Sequence, residues 1–385
     1  MKVLWHSNAP FVPTGYGAQT AIMAPRLNQT HDVAISAFYG PQGASLRWEG
    51  MHIYPGVHDG YGNDIIQAHA QHHFGGDIKG GLVVSLLDVW VLDPNIWRNL
   101  NTCAWVPVDH DPAPPRVAAY FENSGAIPLA MSRFGMRMLE KYDPIYVPHG
   151  IPTDTFAPRD RGEARKRMGI GDDRFVVGMV AANQGSPSRK SLAESITAFA
   201  QFAKKRSDAH LYLHTEALGR NGGVNLLNLL GALEVDPQRV TFTDQYQYQV
   251  LPVSQEDMSY VYSGIDVLLN PARGEGFGIP VIEAQACGTP VIVTDFSAMS
   301  ELGEVGWKVD GEKTWTYQES WQIVPRVSEL VWALNDAHDR GSRLRGAARE
   351  FALQYDADRV VAEHFLPALD AVMERIEDRP KVLVP

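Results

Sequence analysis

Two glutamates stand eight positions apart in the stretch NPARGEGFGIPVIEAQACGTPVIVT, residues 270–294. Glu275 lies in a glycine-rich loop, and Glu283 lies in a predicted helix that begins near Pro280, where a missing N–H costs little, and ends at Gly288. The preceding run IDVLLNPAR is typical of a buried strand. A loop that joins a strand to a helix in this way exposes backbone N–H groups and a helix N-terminus. This arrangement favours phosphate binding.

The two carboxylates suit the binding of hydroxyl groups without any proton transfer. Glu283 falls in the first turns of its helix, where the dipole tolerates its charge, and it can accept two hydrogen bonds from a diol such as a ribose. Glu275 lies nearer the loop tip and could hold sugar hydroxyls. The alternative is that Glu275 is a solvated loop residue and that Glu283 only favours its helix. From these residues alone both interpretations stay open.

Length and composition restrict the class of protein. A chain of 385 residues predicts two domains of ordinary size. The net charge of -11 argues against a large electrostatic contact with nucleic acid or anionic lipid. No apolar run is long enough to span a bilayer, and MKVLWHSNAP does not have the pattern of a signal peptide. Cys103 and Cys287 cannot form a disulfide framework or a zinc site alone, so we expect a reduced, cytoplasmic location.

Strands and helices alternate through both halves of the chain. β-type runs such as KVLWHS, DVAISAF and NTCAWVPVD in the first half, and RFVVGMVA, AHLYLHT and TPVIVTD in the second, are separated by helix-like segments. This pattern predicts an α/β protein with two Rossmann-like, doubly wound domains whose strand ends face a ligand cleft. PHGIPTDTFAPRDRGEARKRMGIGDD has the composition of a linker, and the sequence after SELVWAL has helical periodicity.

The segment RGEGFGIPVIEAQACGTPVIVTD closely resembles the signature of the retaining GT-B glycosyltransferases of family 4, the glycosyl transferases group 1. VPHGIPTDTFAP resembles the domain linker of that family, and MSYVYSGIDVLLNP resembles the segment before the signature. The resemblance implies an acceptor-binding domain over 1–155 and a domain over 156–360 that binds a nucleotide-sugar donor. It also implies a C-terminal helix, 361–385, that packs back on the N-terminal domain.

The resemblance also assigns donor-binding residues. SRKSL resembles the diphosphate element of the family, so Lys190 would pair with the phosphates and Arg189 could assist, since a departing nucleoside diphosphate develops negative charge. The signature adds the set Glu275, Gly276, Phe277, Gly278 and Glu283. The family usually has an arginine about six residues before the lysine, but this chain has Asn183 and Gln184 in that region. Either Arg189 supplies the second cation or diphosphate binding is weaker than usual.

Two elements of the first domain carry further candidates. In VPVDHDPAPP, His110 follows a predicted strand, and its counterpart in relatives lies beside the donor sugar, where an imidazole can donate a hydrogen bond or move a proton. PTGYGAQ matches the glycine-rich loop between the first strand and the first helix. Gly15 and Gly17 would let backbone amides approach the diphosphate or the acceptor. With Lys190 and Glu275, His110 completes the predicted catalytic set.

The activity implied by the resemblance is a sugar transfer with retention of configuration. The leaving phosphate would accept the proton of the attacking hydroxyl, and no metal or other cofactor is required. The acceptor is a glycan, a small molecule or a polymer. One alternative is a hydroxymethylated base in DNA, which the charge of the chain does not favour. Another is a nucleotide-sugar epimerase or hydrolase, or an inactive nucleotide-sugar-binding protein.

Two other motifs do not support a nicotinamide cofactor or a metal site. GYGAQT lacks the third glycine of a dinucleotide fingerprint, and no acidic residue follows the second strand to bind a ribose. The histidines of QAHAQHHFGG have no carboxylate or cysteine at a spacing that suits a metal.

Overall fold

The computed structural model describes residues 1–250 and 253–378. The chain forms two compact units. Unit 1 comprises Met1–Gly150, Tyr317–Ser320 and the chain from Ala357 onward, and unit 2 comprises Ile151–Thr316 and Trp321–Asp356. The sequence placed these changes of domain after residues 155 and 360. Residues 379–385 of the predicted C-terminal segment lie outside the described residues.

Unit 1 contains an eight-stranded sheet with the order β3-β4-β2-β1-β5-β6-β7-β8. All neighbouring strands are parallel except β3 and β4. The strands are β1 (Lys2–Asn8), β2 (Asp32–Tyr39), β3 (Leu46–Trp48), β4 (Met51–Tyr54), β5 (Leu82–Leu86), β6 (Thr102–Val106), β7 (Ile127–Ala130) and β8 (Ile145–Tyr146). The helices are α1 (Gly15–Leu27), α2 (Ile66–Phe74), α3 (Pro94–Trp97), α4 (Pro115–Ser124), α5 (Arg133–Met138), and, near the chain end, α15 (Ala357–Val360) and α16 (Leu366–Glu377).

The C-terminal segment packs into the core of unit 1, as the sequence predicted. The ring of Phe365, just before α16, lies 5.8 Å from that of Trp5 and 5.0 Å from that of Trp105. Both indole N–H groups have acceptors, since Trp5 donates to Thr20 and Trp105 donates to the carbonyl of Val147. A buried indole N–H group needs such an acceptor. The amphipathic C-terminal sequence completes this core because it contributes the Phe365 ring.

Unit 2 contains a parallel six-stranded sheet with the order β11-β10-β9-β12-β13-β14, and a separate hairpin of β15 and β16. Its strands are β9 (Phe175–Val180), β10 (Ala209–His214), β11 (Val240–Phe242), β12 (Val267–Leu269), β13 (Val291–Thr294), β14 (Gly306–Val309), β15 (Gly311–Trp315) and β16 (Trp321–Pro325). The helices are α6 (Arg161–Met168), α7 (Leu192–Ala203), α8 (Leu226–Ala232), α9 (Gln245–Val250), α10 (Gln255–Gly264), α11 (Ile279–Ala286), α12 (Ser297–Leu302), α13 (Val327–Arg340) and α14 (Arg345–Ala352). The expected α/β architecture of two Rossmann-like sheets is confirmed.

The segment with linker composition contains one fully buried charged residue. Arg165 of α6 is fully buried. Its guanidinium donates to Asp266 at 2.7 Å and to the carbonyls of Gly264 and Arg174. Composition did not predict the burial of this one residue, because a sequence does not show whether a guanidinium has acceptors in the folded chain.

Candidate functional site

The loop between β12 and α11 fixes Glu275 in a buried position. Its side chain is only 9% exposed, and its backbone N–H donates to the hydroxyl of Ser297 at 2.9 Å. Ser297 is the first residue of α12 and is itself buried. Glu275 is therefore not a solvated loop residue, which was one part of the alternative left open by the sequence.

Glu275 holds two cations that follow each other in the chain. Oε2 of Glu275 accepts from Arg189 at 2.9 Å, and Oε1 accepts from Lys190. Burial alone would raise the pKa of the Glu275 carboxyl, but the charges of Arg189 and Lys190 and their hydrogen bonds hold that pKa below its usual range. The sequence had placed Glu275 on sugar hydroxyls and Lys190 on phosphate, without predicting that they meet. The cluster carries two positive charges and one negative charge.

Glu283 lies partly buried on α11 and is bound by a tyrosine. The hydroxyl of Tyr262, a fully buried residue of α10, donates to Oε2 of Glu283 at 2.7 Å. Burial raises the pKa of Glu283 to about 7, although the Tyr262 hydroxyl opposes this. The spacing of the sequence gave no sign of this contact. Tyr262 does lie in MSYVYSG, the segment that resembles the approach to the signature.

The N-terminus of α11 follows a glycine that no other residue could replace without strain. Gly278 has φ +115°, and a Cβ there would lie 2.6 Å from Cε of Met299. Gly276 and Phe277 are buried, and the Phe277 ring packs edge-on against Tyr355 at 5.6 Å. No side chain caps α11, and the amides of a helix start attract anions. The loop therefore leads into a helix start without a side-chain cap, and phosphate binding at this start stays a prediction.

Asn183 has a structural role in place of the expected arginine. Its side-chain amide donates to the carbonyls of Glu216 and Val224, and its Oδ1 accepts from the N–H of Val224 at 2.9 Å. Gln184 beside it is exposed. Where the family pattern predicts a cation, this chain therefore has a neutral side chain that holds the loop containing Glu216 and Val224. Arg189 is the second cation that the structure places next to Lys190.

The remaining predicted residues belong to unit 1. His110 is buried, and its Nδ1 lies 2.6 Å from Oδ1 of Asp109, so the carboxylate orients the ring. Gly15 is the first residue of α1. The N–H of Gly17 donates to the capping hydroxyl of Thr14 at 3.0 Å, and a Cβ at Gly17 would lie 2.2 Å from a backbone oxygen. The turn itself therefore requires Gly17.

None of the helices in 1–250 and 253–378 has the length and apolar character to cross a membrane. Within the same residues, no group of three or more histidine, cysteine, aspartate or glutamate side chains is arranged to hold a metal ion.

Comparison with protein families gives the affiliation of unit 2. Residues 174–319 match the family described as glycosyl transferases group 1. This region belongs to that family. The match confirms the resemblance read from the signature, and it contains Lys190, Glu275 and Glu283 together.

Curated relatives match parts of the chain. A D-inositol 3-phosphate glycosyltransferase of Mycobacterium sp. (strain KMS) is 32% identical over 167 residues, which are 42% of this chain and 35% of the relative. A protein of the same description from Catenulispora acidiphila is 24% identical over 82% of this chain and 75% of its own length. In six such relatives the matched region spans between 35% and 48% of the relative's length.

Solved structures match the whole fold. The sucrose-phosphate synthase of Thermosynechococcus elongatus superposes with a TM-score of 0.74 at 16% identity, covering 97% of this chain and 99% of the other. Anabaena HepE in complex with UDP and glucose gives 0.70 at 17% identity, covering 96% and 100%. These neighbours confirm the GT-B fold class.

Proposed function

We propose that the chain is a retaining glycosyltransferase that moves a sugar from a nucleotide-diphosphate sugar to a hydroxyl acceptor, without a metal ion. The observation that carries the proposal is the cluster of Arg189, Lys190 and Glu275, because it sets two cations beside the loop that leads from Glu275 into the uncapped start of α11. Its net positive charge and the helix amides suit a diphosphate leaving group.

The residues of unit 2 divide the donor between them. Lys190 and Arg189 would stabilise the charge that develops on the departing diphosphate. Glu283 would accept hydrogen bonds from the ribose hydroxyls once it is ionised. Glu275 would position the two cations and present its remaining acceptor capacity to the sugar. The leaving phosphate oxygen would take the proton of the acceptor hydroxyl, so that neither glutamate acts as a nucleophile.

In unit 1 we assign His110 to the donor sugar, following the family resemblance. Its Nδ1 faces Asp109, which fixes the ring and leaves Nε2 as the atom for substrate. HepE has been crystallised with UDP and with UDP-glucose. UDP-sugars are therefore the first donors to test for this chain, followed by GDP-, ADP- and CDP-sugars.

The test combines binding and transfer. In Lys190→Ala we expect nucleotide diphosphate affinity to fall about 10- to 100-fold, because a charge-assisted hydrogen bond contributes about 1.5–3 kcal/mol. Lys205→Ala, which removes an exposed lysine of the same unit, is the matched control and should bind normally. Calorimetry with UDP, and chromatography of the sugar product, measure the two effects.

Glu275→Gln separates the two parts of the proposal. Loss of its negative charge leaves both cations uncompensated, so UDP should bind as tightly as before or more tightly, while sugar transfer is lost. Equal loss of binding and transfer would show that Glu275 only maintains the fold. Wild-type transfer in either Glu275→Gln or Lys190→Ala would refute the site assignment.

A further inference from the structure

A pocket lies in unit 1, away from the strand ends that carry His110 and Gly17. It has a volume of about 250 Å³, and its lining includes Asp32 at the start of β2, Arg47, His52 and Tyr54 of the β3–β4 hairpin, and His72 and His73 at the end of α2. Asp32 is the first residue of β2. The pocket therefore opens at the amino ends of the parallel strands, whereas His110 follows the carboxyl end of β6.

Two imidazoles of this pocket contact one tyrosine, and a third lies beside the backbone of Asp32. The ring of His52 stacks on Tyr54, with centroids 4.1 Å apart and planes 17° apart. Nδ1 of His72 lies 2.6 Å from the Tyr54 hydroxyl, and Nε2 of His73 lies 3.0 Å from the carbonyl oxygen of Asp32. His72 and His73 belong to QAHAQHHFGG, so the histidine motif that gave no metal site from its spacing forms one wall of a pocket.

One nitrogen of the cluster has no partner. Nε2 of His52 is shielded from solvent, and among residues 1–250 and 253–378 no group forms a hydrogen bond with it. Burial lowers the pKa of His52, and the neighbouring His72, Arg47 and His73 lower it further. The pocket thus concentrates groups that repel one another when they are protonated, and an anion would relieve that repulsion.

The charges around His52 come from every element packed against it. Arg47 on β3 is positive, Asp32 on β2 is negative, and His69, His72 and His73 on α2 are titratable, as is Tyr54 on β4. Lys2 on β1 donates to the carbonyl of His73 at 2.8 Å and adds a positive charge nearby. With neutral imidazoles, Arg47, Lys2 and Asp32 together leave one net positive charge, so a bound dianion requires further positive charge.

We propose that this pocket binds a small dianion, such as the phosphate group of a metabolite, through Arg47 and the imidazoles of His52 and His72. A proton on His52 adds positive charge to the wall of the pocket, and His52 contributes this charge rather than a hydrogen bond, because its Nε2 is shielded from solvent. Binding and proton uptake are then coupled, and the affinity rises as the pH falls.

Sulfate is the first probe because it does not titrate between pH 5.5 and 8. Calorimetry on the full chain, in two buffers with different ionisation enthalpies, measures both affinity and proton uptake. For each proton taken up we expect affinity to rise by up to about tenfold per pH unit below pH 7. Arg47→Gln, an exposed position that should not disturb folding, and His52→Gln should each weaken sulfate binding about tenfold.

Lys190→Ala distinguishes this pocket from the phosphate site of unit 2 and should leave the proton-linked sulfate binding unchanged. Binding that persists in Arg47→Gln and His52→Gln, binding that disappears in Lys190→Ala, or no sulfate binding at any pH would overturn the proposal. Glucose 6-phosphate provides the second arm. Tighter binding than sulfate points to a phosphorylated metabolite, and equal binding points to the inorganic anion, and both results support a dianion site.

Discussion

Substitution of Glu283 by glutamine should change how the stability of the protein depends on pH. Glutamine has the shape of the glutamate side chain and can still accept the hydrogen bond from Tyr262, but it does not titrate. Burial raises the pKa of Glu283 from 4.5 to about 7. Because the folded pKa lies above the unfolded one, the native state binds the proton more tightly. The stability that Glu283 contributes is therefore complete below pH 4.5 and is lost as the pH rises to about 7.

The size of the effect follows from the two pKa values. The interval between 4.5 and about 7, at about 1.4 kcal/mol for each pH unit, corresponds to a maximum of about 3 kcal/mol. Glu283 is partly exposed, so solvent screening reduces this value, and we expect about 2 kcal/mol. Between pH 4.5 and pH 7.5, the free energy of unfolding of Glu283→Gln should therefore increase by this amount relative to that of the wild type.

Denaturant titrations at half-unit steps of pH, followed by tryptophan fluorescence, measure the difference between the two proteins. The difference removes the contribution of every other titrating group. Glu304→Gln, at an exposed glutamate of the same unit, is the matched control and should show no comparable dependence between pH 5.5 and 7.5. Tyr262→Phe removes the hydrogen bond that lowers the pKa of Glu283, so its transition should move to higher pH.

A stability difference between wild type and Glu283→Gln that stays constant with pH would refute the reasoning about burial. The ionisation of Glu283 also affects donor binding. Hydroxyl groups of a ribose donate hydrogen bonds to acceptor lone pairs, and the Glu283 carboxyl offers more of these when it is ionised than when it is protonated. UDP-sugar affinity should therefore increase as the pH rises through 7 in the wild type and not in Glu283→Gln.

Two further substitutions test the packing that supports the two units. Gly278→Ala should destabilise unit 2 by about 1–3 kcal/mol, because φ +115° is strained for alanine and the new methyl group contacts Met299. The control is Gly346→Ala, where a Cβ meets nothing within 4 Å. This control should leave the free energy of unfolding unchanged in the same denaturation assay. Phe365→Ala should cost about 3–5 kcal/mol by emptying the core of unit 1, whereas Leu227→Ala, at a half-exposed leucine, should change the unfolding midpoint little.

Much of the fold could be predicted because its signals are local. The alternation of apolar runs with helical segments identified both parallel sheets, and Pro280 and Gly288 marked the ends of α11 within two residues. The hairpin of β15 and β16 was not predicted, because it carries charged and aromatic residues without a clear apolar alternation. The burial of Arg165 could not be predicted, because its acceptors, such as Asp266, come from segments about 100 positions away in the chain.

The site was predicted as a list of residues but not as a set of contacts. The signature marked Glu275 and Glu283, but the partners of these residues lie far from them in sequence. Lys190 precedes Glu275 by 85 positions, and Tyr262 precedes Glu283 by 21. Tertiary contacts of this kind have no periodicity that a single sequence could show. They decide the charge of each carboxyl, and thus which chemistry it can perform.

The structure also favours one answer to the missing arginine of the diphosphate element. Asn183 holds a loop through three hydrogen bonds. An arginine in place of Asn183 would remove these hydrogen bonds and disrupt that loop. Arg189 contacts the same carboxylate as Lys190 and is 43% exposed. It can therefore turn toward a ligand at a modest energetic cost, and we infer that it replaces the absent cation.

Arg189→Gln tests this inference, since glutamine keeps an N–H donor for the carbonyl of Gly274 but removes the charge. Because Arg189 is well exposed, we expect a loss of about 1 kcal/mol in UDP binding, roughly fivefold in affinity. Combined with Lys190→Ala, the loss should differ from the sum of the two single losses, because both cations share Glu275. Wild-type UDP affinity in Arg189→Gln would instead assign Arg189 to the loop alone, and Lys190 would then be the single side-chain cation for the diphosphate in the described part of unit 2.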